Sequence, residues 1–267
     1  MQHQFRILTL TTYDCFMIDL QGLRALVAVD RDGSVVAAAE RLEALAASGA
    51  RRSSPLRIAS VSTATRGLVA PLLRALSDDD APVFATVTSV DPVDAMEMVA
   101  SGVVDLAVVH NWNSVPLVAP AHVATEHVCH DEADIVLSAE HPLARRAELD
   151  RADLVDELWA STPAGAICHE ALMRIFADLG TVPRVVVEDP DFASLIELAR
   201  EGVAFALVPR LGRTPLPDGA VARPLRDHSQ VREVRVAYRR SMAETPGIRR
   251  AVRLLADAGA RIGPGSG

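Results

Sequence analysis

The stretch LRIASVSTATRGLVAPLLRALSDDDAPVFATVTSVDPVDAMEMVASGVVDLAVVH (56–110) decides the fold. Leu56 to Ser60 is a short, mostly apolar run that reads as a strand. From Ala64 to Leu76 the apolar residues recur at helical spacing, with Pro71 inside as an expected kink or break. Val83 to Ser89 reads as a second strand. Pro92 to Ser101 reads as a helix closed by Gly102, a residue suited to the left-handed turn that ends helices. Asp105 to His110 is a third strand, nearly all apolar, as strands of a parallel sheet covered on both faces are. Strands alternating with helices predict a parallel α/β sheet.

The same rhythm returns downstream. Asp134–Ser138 reads as a strand, Arg151–Glu157 as a short helix and Leu158–Ser161 as a strand leading into the turn Thr162-Pro163-Ala164-Gly165. Ile167–Leu179 reads as a helix, Arg184–Val187 as a strand and Phe192–Glu201 as a helix closed by Gly202. Ala204–Val208 is a strand stopped by Pro209. A proline- and glycine-rich loop (212–219) follows, then a strand over Val231–Tyr238 and a last helix from about Pro246 to Gly259. The expectation is two α/β lobes, with the last helix free to return to the first. Upstream, residues 17–47 read as two helices, the second capped by Ser34. Residues 48–55 (SGARRSSP) read as a linker, and 1–16 as an extension without clear period.

Composition narrows the chemistry. The chain has 267 residues and a net charge of −8, and all 27 of its basic residues are arginine. Without lysine there is no Schiff-base or P-loop chemistry. Residues 1–56 carry six arginines and six acids. No part is strongly basic, so no broad nucleic-acid footprint is visible. Three widely spaced cysteines suggest no disulfide framework, and no apolar run is long enough for a membrane span. MQHQFRILTLTTYDCF (1–16) lacks the pattern of a signal peptide. A cytoplasmic location is expected, without membrane contact.

Catalytic motifs are missing: there is no GxSxG, HExxH, CxxC or GxGxxG. His122, His127, Cys129 and His130 crowd one stretch, but their spacing fits no zinc pattern, and a solvated loop leading into a strand is expected there. Cys168-His169 sits at a helix start, where a thiolate is favoured, yet without a third orienting group. No catalytic residue, metal or cofactor is expected. Binding signals are better. Ligands of open α/β sheets sit outside the carboxyl ends of the strands, and helix starts there suit anions. Ser62, Thr63 and Thr65 follow the first strand; Ser89 and Asp91 follow the second; His110, Asn111 and Trp112 follow the third. Thr162, Gly165 and Ile167 form the equivalent turn of the second lobe. The hydroxyl residues and Asp91 read equally as helix caps, and Trp112 as core.

At this point the residues resemble a known family. MIDLQGLRALVAVDRDGSVVAAAERL (17–42) resembles the opening of a LysR-type transcriptional regulator, where it forms the first two helices of a winged helix-turn-helix. LRIASVSTATRGLVAPLLRAL (56–76), SGVVDLAVVHNW (101–112), HPLA (141–144) and EGVAFALVPRLG (201–212) resemble landmarks of that family's effector-binding domain. Their order and spacing over 56–258 cover about three quarters of the chain. The resemblance implies an α/β fold: a two-lobed domain like type 2 periplasmic binding proteins, preceded by a short helical remnant. Lobe I would take 56–128 plus 241–260, and lobe II 129–240. Residues 17–47 would be a partial winged helix-turn-helix.

The resemblance also implies a small, anionic effector held by Ser62, Thr63, Thr65, Ser89, His110, Asn111, Thr162 and Gly165. Ser62 and Thr63 match family positions that often hold the effector. One departure stands out. After Leu42 the family continues with a recognition helix, a wing and a dimerising linker helix, whereas here the effector domain follows at once. A helix-turn-helix reads bases with its recognition helix, so direct binding to promoter DNA is in question. The expected partners are the effector and either this chain itself or a full-length homologue, as a homo- or hetero-oligomer such as a dimer. The alternative is a truncated, non-DNA-binding effector or dimerisation partner. More remote is an enzyme or a solute receptor on the same fold.

Overall fold

The computed structural model describes residues 55–78, 82–226 and 230–262. The expected extension, the two helices of 17–47 and most of the linker lie outside the described residues. Among the described residues, nine strands form one sheet: β1 (Leu56–Ser60), β2 (Ala85–Ser89), β3 (Leu106–Trp112), β4 (Val123–Ser138), β5 (Leu158–Ser161), β6 (Arg184–Glu188), β7 (Phe205–Pro209), β8 (Ala220–Arg223) and β9 (Gln230–Arg239). Their order is β2-β1-β3-β9-β4-β7-β5-β6, with β8 also paired to β4.

The sheet is mixed rather than wholly parallel. Each end is a parallel βαβ set: β1 pairs with β2 and β3, and β5 with β6 and β7. The middle is antiparallel, because β9 runs against both β3 and β4. Two strands lengthen to make that seam. β4 has 16 residues and β9 has 10. The stretch around His122–His130, expected as a loop, is therefore mostly strand, starting at Val123. Backbone groups that a loop would leave to water are paired with β9 instead. The expected lobe division at 128/129 falls inside β4, where the register shifts between His127 and Cys129. β8 was not anticipated; it closes the proline- and glycine-rich loop back onto β4.

Helices cover both faces. Helix α1 is one continuous run in three parts, Ser62–Ala64 in α geometry, Thr65–Val69 in π geometry and Ala70–Ser77 in α geometry. The chain does not break at Pro71, which falls in the first turn of the last α segment. The turn before it widens instead, and the Ala70 N–H donates to the Thr65 carbonyl. Such π turns let a helix continue past a local mismatch. The others are α2 (Pro92–Ser101), α3 (Ile167–Ile175), α4 (Phe192–Arg200) and α5 (Pro246–Ala260). Asp91 caps α2 through the Val93 N–H, and Asp191 caps α4 through the Ala193 N–H.

Strand alternation sorts the cores. Ile58, Leu106, Val108 and Val236 face Leu68, Leu72 and Leu76 of α1 and Ile248 and Leu255 of α5. Ala59, Ala107 and Val109 face Met96 and Val99 of α2. In the other half Ile135, Leu137, Trp159, Phe205 and Leu207 face Leu172 and Ile175 of α3. Val136, Ala160, Ala206 and Val208 face Leu195 and Ile196 of α4. The last helix does return to the first half. Gly259 lets it lie on β4, since a Cβ there would come within 2.1 Å of the Val128 carbonyl oxygen.

A short segment after β7 knots the halves together. Arg210 pairs with Asp134 at 2.6 Å and Arg213 pairs with the same carboxylate at 2.9 Å. The Leu211 N–H donates to Asp131 at 2.8 Å, and Arg66 donates to the Gly212 carbonyl at 2.7 Å. Gly212 has φ +65°, and a Cβ there would lie 2.2 Å from the Thr63 carbonyl oxygen. Gly180 shares the left-handed backbone, φ +67°, but has open space around it. Gly180→Ala should cost about 1–2 kcal/mol, the left-handed penalty alone. Gly212→Ala should cost at least about twice that, because backbone must also move. Urea unfolding of both variants decides it, and equal losses would contradict this packing.

Candidate functional site

The carboxyl ends of β1 and β2 and the middle of β3 meet the starts of α1 and α2. From the other half, the end of β5 delivers the turn before α3. Between them lies a cleft of about 470 Å³. This is the crevice that strand topology predicts for an open α/β sheet, and its size suits a small molecule.

Its floor is set by strand register. Arg232 of β9 stands opposite Trp112 of β3 on one side and Asp131 of β4 on the other. Directly opposed residues share a face of the sheet. The guanidinium is fully buried. Its Nε donates to Asp131 at 2.7 Å and one Nη donates to the Thr63 hydroxyl at 2.9 Å. The Trp112 ring lies 5.9 Å from the guanidinium carbon, within cation–π range. The remaining nitrogen, Nη1, is buried without a hydrogen-bond partner among the described residues. Arg232 lines the cleft.

Two more buried polar atoms of cleft-lining residues, His110 Nδ1 and Thr162 Oγ1, lack partners among the described residues. Burial, and then the Arg232 charge, holds the His110 imidazole well below its usual range, so it is neutral. Cys168 Sγ lies 3.9 Å from His110 Nε2. Burial pushes this thiol up to about 11, so the helix start does not yield a thiolate. Its neighbour His169 turns away and meets the Thr162 carbonyl at 3.0 Å. The Cys168–His110 contact thus joins a protonated thiol to a neutral imidazole.

Of the eight expected binding residues, Ser62, Thr63, Ser89, His110, Thr162 and Gly165 line the cleft. Thr65 and Asn111 do not. Thr65 begins the π segment of α1, one turn behind the lining residues. Asn111 alternates to the opposite face of β3 from His110, where its side chain accepts from the Glu233 N–H at 3.1 Å. Trp112 belongs to the second half's core. The sequence reading missed Arg232 altogether. It also left open whether Asp91 is more than a cap. It is: one oxygen caps α2, while the other accepts from the Ile167 N–H of α3 at 3.3 Å. One carboxylate thus spans the cleft.

Comparison with known proteins agrees with this geometry. The LysR substrate binding domain matches residues 49–260. The small neutral protease regulatory protein of Streptomyces coelicolor is 30% identical over 245 residues, covering 90% of this chain and 74% of the relative. Among solved structures, the C-terminal domain of a probable LysR family transcriptional regulator from Rhodococcus sp. RHA1 has a TM-score of 0.65 at 19% identity, covering 75% of this chain and 98% of that one. The effector binding domain of QuiR, in complex with shikimate, has a TM-score of 0.65 at 12% identity, covering 78% and 98%. The chain belongs to the LysR family of transcriptional regulators, and residues 49–260 are its substrate-binding domain.

Proposed function

We propose that this chain is the sensing part of a transcriptional regulator and that its cleft binds a small effector bearing an anionic oxygen. One observation carries the reading. Three buried polar atoms without partners, Arg232 Nη1, His110 Nδ1 and Thr162 Oγ1, belong to residues lining one cleft. Unpaired buried polar groups cost about 1–3 kcal/mol each, and a ligand that pairs them recovers that cost. A cationic N–H favours an anionic acceptor. Ser62 and Thr63 stand beside it with hydroxyls. The QuiR domain of the same fold is held in complex with shikimate, which supports a small oxygen-rich ligand. Effector binding would favour one arrangement of the two halves over others, a population shift.

The signal would pass through subunits of this chain or a full-length homologue rather than through base contacts of its own. The sequence moves from Leu42 to the effector domain at Leu56 without a stretch resembling a recognition helix. Fluorescence anisotropy with DNA from upstream of the gene, against an unrelated duplex at two salt concentrations, tests this. Equal, salt-sensitive binding to both duplexes is expected. Specific binding that outcompetes the unrelated duplex would contradict it.

The cleft itself is tested by titrating wild-type protein and variants with a panel of small carboxylates. Arg232→Gln should weaken any binder by about tenfold or more, and Ser62→Ala, Thr63→Val and Thr162→Val by several-fold, in line with charged and neutral hydrogen bonds respectively. Unchanged affinity in all four would remove these residues from the site.

A further inference from the structure

The two walls of the cleft differ in charge. On the floor, Arg232 Nη1 is buried without a hydrogen-bond partner among the described residues. Across from it, Asp91 already occupies the start of α3 through the Ile167 N–H and the start of α2 through the Val93 N–H. A ligand anion therefore finds that helix end taken. Asp94, in the first turn of α2, is exposed and lines the same wall.

Arg232 is the one cation among the described lining residues, and Asp131 already balances it. His110 is neutral. Asp91 is held by two backbone N–H groups and Asp94 adds a second carboxylate, so the far wall carries negative charge with no cation among its described residues. Burial raises the Asp91 carboxyl despite its two backbone hydrogen bonds, and the nearby Asp94 charge adds to the rise. A positive group placed there would relieve both. The rest of the lining includes Val61, Val93, Pro190 and Phe192, an apolar surface.

We propose that the effector is a zwitterion of the α-amino acid class with an apolar side chain, its carboxylate on Arg232 Nη1 and its ammonium against Asp91 and Asp94. This rests on the reading of the cleft as a carboxylate site and adds the second charge. A plain carboxylate would meet Arg232 but leave the acidic wall unpaired. A dicarboxylate would set like charges against each other.

The test uses matched probes on one skeleton, titrated calorimetrically into the full chain. Leucine, its 2-hydroxy acid, its deamino acid and isoamylamine form one set; phenylalanine and its three counterparts form another. In at least one set the amino acid should bind about tenfold or more tightly than the deamino acid, the scale of one charge-assisted hydrogen bond. Asp94→Asn, an exposed change that leaves the cap of α2 in place, should shrink that preference several-fold without weakening the deamino acid. Asp91→Asn should shrink it further. Deamino or hydroxy acids that bind as well as the amino acid, with no response to Asp94→Asn, would overturn the zwitterion proposal and leave the carboxylate reading standing. Binding by no carboxylate, or binding that survives Arg232→Gln, would overturn both.

Discussion

A guanidinium sealed inside a sheet is the constraint on which this structure depends. Moving a charge out of water costs several kcal/mol unless a partner and further hydrogen bonds offset it. Arg232 is offset by register: β9 lies between β3 and β4, so Asp131 and Trp112 fall on either side of it. The contacts then close on themselves. Asp131 accepts from Arg232 and from the Leu211 N–H. Gly212 sits against the Thr63 backbone, and the Thr63 hydroxyl accepts from Arg232. Two distant strands, the segment after β7 and the start of α1 are thus held by one charge. A hydrophobic pair of similar volume often stabilises as well. In the proposed function, the nitrogen that remains unpaired supplies a reason for keeping the charge.

The same arrangement couples the two halves of the domain. Each half is a parallel βαβ set with helices on both faces, and each turns the carboxyl ends of its strands toward the other. Antiparallel β4 and β9 run between them. Across the cleft, beside the apolar packing of Trp112, runs the polar bridge from Asp91 to α3. Such polar contacts are weaker than the packed cores on either side, so they are the part of the fold a ligand can most readily re-set. A ligand shifts that equilibrium only by the difference in its affinity for the two arrangements.

Much of this was legible in the residues. The run from Leu56 to His110 gave strand, helix, strand, helix and strand because apolar periodicity and Gly102 mark them locally. Six of the eight expected binding residues line the cleft because chain order alone places them at strand ends. What escaped depends on long-range pairing. Nothing near His127 or Cys129 announces a strand until β9 lies beside it, and β8 exists only by pairing with β4. Thr65 and Asn111 lie outside the cleft lining, by one local turn and by one strand alternation. Arg232 did leave a signal: it shares a face with Val234, Val236 and Tyr238 in an alternating strand, and a charge at such an inward position requires a buried partner. Naming Asp131 as that partner needed the sheet order.

The most direct measurement is a crystal structure of this domain with the tightest-binding carboxylate found by titration. The account predicts the ligand carboxylate within hydrogen-bonding distance of Arg232 Nη1, with the Asp131 and Thr63 contacts intact. A ligand lodged elsewhere, with Nη1 bonded only to water, would show that the buried arginine serves the seam of the sheet and not the effector.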